Sequence, residues 1–137
     1  MRDTLIKAVL AIIATIAAAA SSPSRAQEMD GKSLFLKNCA ACHQPTGKGI
    51  PGAFPALAGN KFVQGQGNDV AAVLLKGRGG MPDFSESLSD RDIATVLSFV
   101  RSNWGNKADG LTEAEVGAVR TTLGVDPYGN TAMSNKH

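Results

Sequence analysis

Apolar residues recur at helical spacing most clearly in the second half of the chain. The positions fall at i, i+3, i+4, i+7 and i+11: Ile93, Val96, Leu97, Val100 and Trp104. Such a stripe is typical of a helix that packs one face on a core. Ser89 followed by Asp92 predicts a capping box where this helix begins, and Gly105 predicts its end.

Less regular stripes predict three further helices. The first runs from near Asp30 to about Cys42, with apolar positions that point to the interior: Leu34, Phe35 and Cys39. A short helix has Asn68 as its N-cap, with one face made by Val70, Val73, Leu74 and Gly77. A capping box of Thr112 and Glu115 begins the last, which buries Val116, Val119 and Leu123.

The segment from residue 44 to residue 67 shows no period and is rich in glycine and proline. A loop of this length inside a compact domain is often functional or wrapped around a ligand. No part of the chain alternates β-branched with polar residues as a strand would. The pattern as a whole therefore predicts an all-α protein.

The first residues are typical of an export signal and not of a fold. Arg2 and Lys7 give a positive start, residues 8–20 are an apolar run, and residues 24–26 suit cleavage after Ala26. The run is shorter than the roughly 20 residues that a membrane-spanning helix needs. The alternative is an uncleaved membrane anchor. The polar break at residues 21–24 argues against it.

The net charge falls from +2 for the full chain to zero once residues 1–26 are set aside. This leader holds three of the fourteen basic and one of the twelve acidic residues, so residues 27–137 are neutral, which argues against nucleic acid as a partner. Residues 27–80 carry six basic and three acidic groups, and residues 81–137 carry five and eight. This asymmetry either orients the approach to a charged partner or is an ordinary solvated surface.

The chemistry of the chain is concentrated in one motif, Cys-x-x-Cys-His at Cys39, Cys42 and His43. At helical spacing the three side chains share a face, so two thioether bonds to a haem would place the imidazole beneath the iron as an axial ligand. A thioredoxin-like redox pair would require a βαβ setting, and a zinc site would require further ligands. A structural disulfide would leave His43 without a role.

The iron of such a haem needs a sixth ligand. The candidates in the chain after the leader are Met29, Met81, Met133 and His137. Met81 is favoured because the glycines before it allow close backbone approach and Pro82 fixes the chain after it. A thioether ligand stabilises ferrous iron, so a His/Met pair raises the reduction potential.

Residues 29–104 resemble class I c-type cytochromes. The matching positions are Gly31 and Phe35 in the first helix, Pro55 and Leu57 after the motif, Met81 with Pro82, and Phe99 in the helix that would cross the first one at Gly31. The resemblance implies a cytochrome c fold of about four to five helices wrapped around one covalently bound haem c. Its domain would occupy residues 27–123, followed by a flexible tail at 124–137.

The resemblance also implies a set of haem-binding residues: Cys39, Cys42, His43, Pro55, Leu57 and Met81. His43 and Met81 would bind the iron, and the Pro55 carbonyl would accept a hydrogen bond from the His43 ring. Three segments (79–82, 88–90 and 99–106) are similar to haem domains in cytochrome subunits of periplasmic sugar, alcohol and related dehydrogenases. Those subunits often carry several haem domains, whereas this chain has one such motif.

The leading hypothesis is a periplasmic electron carrier, not an enzyme, that cycles one haem between Fe(II) and Fe(III). Its redox partners would be a dehydrogenase or cytochrome as donor and a terminal oxidase or other protein as acceptor. After signal cleavage it would have no stable membrane insertion and would be a monomer or a subunit of a complex. Around the haem edge, Lys48, Lys61 and Lys76 would steer partner approach.

Two alternatives stay open. One is a haem enzyme or gas sensor, which needs an open or labile distal site; Arg78 and Asp83 flank Met81 but are more simply surface charges. The other is an interaction module in which the motif is fortuitous and binds no haem.

Overall fold

The computed structural model describes residues 29–129 of the chain. Within this range the chain forms five helices: α1 (Gly31–Asn38), α2 (Ala40–His43), α3 (Gly67–Lys76), α4 (Asp90–Ser102) and α5 (Glu113–Thr122). Residues 29–129 contain no β-strand, and isolated bridges join Ile50 to Phe54 and Arg78 to Met81. The all-α prediction is therefore confirmed.

Helices α1 and α4 cross closely. The Gly31 backbone lies against Phe99 and the Thr95 carbonyl, so a Cβ at residue 31 would come within 2.6 Å of the Phe99 Cβ. Phe35 lies next to this contact and is wholly buried. Its ring centroid is 5.8 Å from that of Phe99 and 4.8 Å from that of Trp104. The crossing expected at Gly31 is thus present, and three aromatic rings extend it.

The chain does not form one helix from Asp30 to Cys42. Asp30 caps α1 by accepting a hydrogen bond from the Ser33 amide, but α1 ends at Asn38 because Cys39 leaves helical geometry, with φ −123° and ψ −33°. The carbonyl of Cys39 nevertheless accepts hydrogen bonds from the amides of Cys42 (3.2 Å) and His43 (2.9 Å). A single turn therefore still holds the three motif residues together.

Helix α3 begins earlier than the sequence predicted. Its N-cap is Gln66, whose side chain makes no capping hydrogen bond, and Asn68 lies inside the first turn. The expected cap at Asn68 is wrong, and packing explains why: Gly67 lies against Leu111, where a Cβ would meet the leucine side chain at 3.2 Å. Tertiary contact outweighs local capping here.

The two capping boxes, Ser89 with Asp92 and Thr112 with Glu115, are both confirmed. Helix α4 buries four residues of its predicted stripe, Ile93, Val96, Leu97 and Val100. It ends at Ser102, so the fifth, Trp104, lies outside the helix, is half-buried and adopts a positive φ of 53°. The Trp104 ring turns back onto α1 from outside the helix.

Helix α5 packs on α4 and α3, with Val116 wholly buried and Val119 8% exposed. The packing continues past the expected domain end at residue 123. The Val125 amide donates to the Arg120 carbonyl, and the Asp126 carbonyl accepts from the Arg120 guanidinium. In the stretch 29–129, no helix has the length and apolar content needed to cross a bilayer. The leader at 1–26, Met133 and His137 lie outside the described residues.

Candidate haem site

The motif cysteines lie at the junction of α1 and α2, and both are half-buried and unpaired. Burial raises the pKa of the Cys39 thiol to about 11, and the neighbouring Cys42 adds to the rise. A reactive redox cysteine needs the opposite shift, because the thiolate is the nucleophile. A thioether bond to haem carries no charge. Surroundings that disfavour a charged thiolate at Cys39 are therefore compatible with a covalently attached haem.

His43 is the buried member of the motif, with 8% of its surface exposed. Its Nδ1 lies 2.9 Å from the Pro55 carbonyl oxygen. A carbonyl can only accept, so Nδ1 carries the proton and donates, and Nε2 is left as the nitrogen with a free lone pair. The hydrogen bond implied by the resemblance is therefore present, and it fixes the orientation of the His43 ring.

Gly49 makes this hydrogen bond possible. Its amide donates to the His43 carbonyl, and its φ of +62° turns the chain so that the backbone of Phe54 and Pro55 passes directly beside it. A Cβ at residue 49 would lie 2.5 Å from the Pro55 carbonyl oxygen, which is closer than real Cβ atoms come. The glycine thus places the acceptor within reach of the His43 ring.

Leu57 is held by two long-range contacts. Its amide donates to the Gly47 carbonyl at 2.7 Å, and its carbonyl accepts from the side chain of Asn106 at 3.0 Å. Asn106, 3% exposed, also donates to the Val100 carbonyl and accepts from the Gly59 amide. One asparagine therefore fastens the loop after the motif to the end of α4.

A second polar residue, Arg101, fastens the later part of the same loop. Its guanidinium donates to the carbonyls of Val63 (2.6 Å), Gly65 (3.0 Å) and Asp109 (2.7 Å) and is 5% exposed. Sequence reasoning missed both Arg101 and Asn106. Arg101 carried a detectable signal, because it stands four residues after Leu97 on the apolar stripe of α4, whereas Asn106 lies in irregular chain and carried none.

Met81 lies on a different segment from the motif, in the chain that leaves α3. Its amide and carbonyl pair with those of Arg78 at 3.0 and 3.1 Å, which closes a tight turn over the two intervening glycines. Before the turn, Gly77 has a φ of +71°, and a Cβ there would meet the Met81 carbonyl oxygen at 2.7 Å. Met81 is half-buried and packs against the same core as Cys39 and Leu57.

The charges flanking Met81 are both exposed, as the sequence suggested. The Arg78 guanidinium lies over the Phe62 ring, 5.1 Å from its centroid, and Asp83 accepts a hydrogen bond from the Ser85 hydroxyl. Met29, the other described methionine, also packs against the core.

The structure thus brings Cys39, Cys42, His43 and Pro55 together through direct backbone and ring contacts, and it places Leu57 and Met81 on the adjoining core. In residues 29–129, no three His, Cys, Asp or Glu side chains cluster as a metal-binding group. The loop also leaves three large apolar side chains about two-fifths exposed: Ile50, Phe54 and Phe62. Two half-buried, unpaired cysteines, an imidazole held by a hydrogen bond and apolar surface together fit a haem.

Comparison with known proteins agrees with this geometry. Residues 26–100 match the family described as cytochrome c oxidase, cbb3-type, subunit III. The chain is 39% identical over 106 residues to the cytochrome c subunit of the quinone alcohol dehydrogenase of Gluconacetobacter polyoxogenes, covering 67% of this chain and 22% of that protein. It is 34% identical to cytochrome c-552 of Thermus thermophilus, covering 58% of this chain and 71% of that protein.

A smaller relative is covered almost completely. Cytochrome c6 of Microcystis aeruginosa is 38% identical over 74 residues, which make up 52% of this chain and 90% of that protein. The chain spans about a fifth of the length of the dehydrogenase subunit it matches, 22%.

Proposed function

The chain belongs to the c-type cytochrome family described as cytochrome c oxidase, cbb3-type, subunit III, and from this membership we propose that it links a dehydrogenase or cytochrome donor to an oxidase or other acceptor. It is an electron carrier with haem c bound covalently through Cys39 and Cys42. The haem supplies an iron that takes up and releases one electron. His43 and Met81 are the residues that would bind that iron.

His43 is the proposed proximal ligand, and the observation that carries this proposal is its hydrogen bond to Pro55. The bond leaves Nε2 free to bind iron and keeps the ring from rotating. Donation from Nδ1 also makes Nε2 a stronger electron donor. Burial of the ring keeps water from competing for the same position.

Met81 is the proposed distal ligand. Its turn is closed by two backbone hydrogen bonds and its side chain is half-buried on the core, so the thioether is held in a restricted position. If His43 and Met81 both bound the iron, a substrate could not readily reach it, and electron transfer is the chemistry that would remain.

Location and domain organisation are part of the same proposal. Residues 1–26 would direct export and be cleaved after Ala26, and residues 27–123 would form the haem domain in the periplasm. The proposed tail would begin after Asp126 and not at residue 124, because Val125 and Asp126 are hydrogen-bonded to Arg120. Haem attachment is useful there, because a thioether-bound haem cannot be lost to the surroundings.

The proposed donor is a dehydrogenase. Support comes from the relative that is itself a dehydrogenase cytochrome subunit. The exposed lysines Lys48, Lys61 and Lys76 would steer the encounter with such a partner.

The decisive experiment is an absorption spectrum of the full chain produced with export and haem maturation, in wild type, Met81→Ala and Met29→Ala. We expect a c-type spectrum with the weak far-red sulfur–iron band, lost in Met81→Ala and kept in Met29→Ala. A c-type spectrum without that band, which shifts when carbon monoxide is added to the wild type, would instead indicate an open iron and favour an enzyme or gas sensor.

A further inference from the structure

Helix α5 lies outside the part of the chain that matches the family, which ends at residue 100. It is nevertheless fixed to the domain, with Val116 wholly buried and Arg120 only 3% exposed. A buried arginine needs partners for its charge and its donors. The partners of Arg120 lie in the segment that follows Met81, so α5 contacts that segment as well as the core.

The Arg120 guanidinium reaches the chain between Met81 and α4. Its Nη1 donates to the Ser85 carbonyl at 3.0 Å, and its Nη2 makes a longer contact of 3.5 Å with the Leu88 carbonyl. Its Nε donates to Asp90, the first residue of α4, at 2.6 Å. A single side chain therefore holds three points of the segment that leads away from Met81.

The guanidinium is itself held in place from the other side. Its Nη1 also donates to the Asp126 carbonyl at 2.9 Å, and the Val125 amide returns to the Arg120 backbone. The charge pair with Asp90 is largely removed from solvent, with side-chain exposures of 4% and 24%. A partly buried pair of this kind is less screened than a surface one.

The segment after Met81 has a second attachment, to α3. The Phe84 amide donates to the Leu74 carbonyl at 2.7 Å, which ties the segment to α3. Arg120 ties the next residues to α5. The segment is thus held between two helices just beyond the proposed ligand.

We propose that Arg120 is a positioning residue that keeps the Met81 sulfur on the iron by holding the segment from Ser85 to Asp90. This inference rests on the proposed function, because it takes Met81 as the distal ligand. In this proposal, displacement of Met81 from the iron would move the segment, and that movement would break charge-assisted hydrogen bonds to Arg120. Each such bond contributes enough to change an equilibrium about tenfold.

The experiment measures how readily imidazole displaces Met81 in the ferric holoprotein. Imidazole is titrated against wild type, Arg120→Met, Arg120→Lys and Val116→Ala, with the far-red band as the readout. Val116→Ala is the matched control, because it weakens the packing of the same helix without removing any hydrogen bond to the segment. Unfolding midpoints are recorded for all four proteins.

We expect Arg120→Met to bind imidazole about tenfold more tightly than wild type, with an intermediate increase for Arg120→Lys, which keeps the charge but not the planar fork of donors. Val116→Ala should bind imidazole as wild type does. If Arg120→Met does not fold, the comparison of Arg120→Lys with Val116→Ala decides in the same way.

Equal imidazole affinity in the arginine variants and wild type would overturn the inference. So would an equal rise in Val116→Ala, because that would mean general loss of α5 packing is responsible. Absence of the far-red band from the wild type would show instead that the proposed Met81 ligation is wrong, and this inference would fall with it.

Discussion

Two glycines determine where the backbone passes the proposed iron ligands. Gly49 brings the Pro55 carbonyl beside His43, and Gly77 brings the Met81 carbonyl beside the end of α3. Both have a positive φ, and at both a side chain would press on backbone atoms and not on a movable side chain. At the scale of single residues, the site therefore depends on these two glycines as much as on the proposed ligands His43 and Met81.

We expect Gly49→Ala to lower the free energy of unfolding and to weaken the His43–Pro55 hydrogen bond. Any residue other than glycine costs about 1–2 kcal/mol at such a φ. Here the added Cβ must also displace the Pro55 carbonyl, so a further cost of about 1 kcal/mol, the net value of the hydrogen bond, is expected. Urea unfolding and the NMR signal of the His43 ring Nδ1 proton in the holoprotein measure the two effects.

Gly52→Ala is the matched control for this change. Gly52 also has a positive φ, of +80°, but a Cβ there has no atom within 4 Å. It should therefore show the conformational cost alone and an unchanged ring-proton signal. Equal losses in the two variants would mean that the close approach at Gly49 has no energetic consequence.

At the scale of helices, the sequence predicted the helix caps made by neighbouring residues, but it did not predict the helix ends that depend on the folded structure. The capping boxes at Ser89 and Thr112 join residues three apart, so the sequence contains both partners. The early start of α3 at Gly67 involves a neighbour distant in sequence, Leu111, and the break at Cys39 has no sequence signal. The stripe of α4 was right about which face is buried but not about where the helix ends. In α3 the predicted face was right at Val70 and Leu74 but missed the buried Ala71 and Leu75.

The helix caps predict a loss of stability in acid. Hydrogen bonds from Ser33 lower the pKa of Asp30, and hydrogen bonds from Thr112 lower that of Glu115, from reference values of 3.8 and 4.5. A carboxyl whose pKa is lower in the folded state contributes stability above its unfolded pKa and loses it as the pH falls through the folded value. We therefore expect the free energy of unfolding to decline from about pH 4.5 downward.

The double variant Asp30→Asn with Glu115→Gln should show a shallower decline over the same pH range, because its capping groups do not titrate. Urea unfolding of the holoprotein at a series of pH values measures the slope. Glu86→Gln, which removes an exposed carboxylate outside both caps, is the control and should keep the wild-type slope. A double variant as acid-sensitive as the wild type would contradict the role given to these caps.

At the scale of the whole molecule, the site is assembled from segments far apart in sequence. The motif identified Cys39, Cys42 and His43 because their spacing is local. Pro55 was found only through a family resemblance, and Asn106, which fastens the loop after it, was not found. Asn106 bonds to Gly59 across forty-seven positions, a pairing that no local pattern encodes. The ligands were therefore more predictable than the frame that positions them.

The asymmetry of charge along the chain predicts how electron transfer responds to salt. Lys48, Lys61 and Lys76 are exposed on the part of the chain between the motif and Met81. If they surround the haem edge, replacing all three with Glu should slow oxidation by ferricyanide, an anion, and speed reduction by hexaammineruthenium(II), a cation. Both effects should be several-fold at low salt and nearly vanish near 0.5 M, where the Debye length falls to about 4 Å.

A second triple variant with the same change in charge distinguishes an effect of the charges near the haem edge from an effect of the net charge of the protein. Lys32, Lys37 and Lys107 are also exposed, but the first two lie on α1 and the third follows α4. Their replacement by Glu should change the two stopped-flow rates less than the first triple variant does. The prediction takes these three lysines to lie outside the proposed ring around the haem edge, where screening weakens the effect of a charge, whereas a net-charge effect would be the same for both variants. Equal rate changes would therefore contradict the placement of Lys48, Lys61 and Lys76 around that edge, and partner approach would have to be directed by another surface.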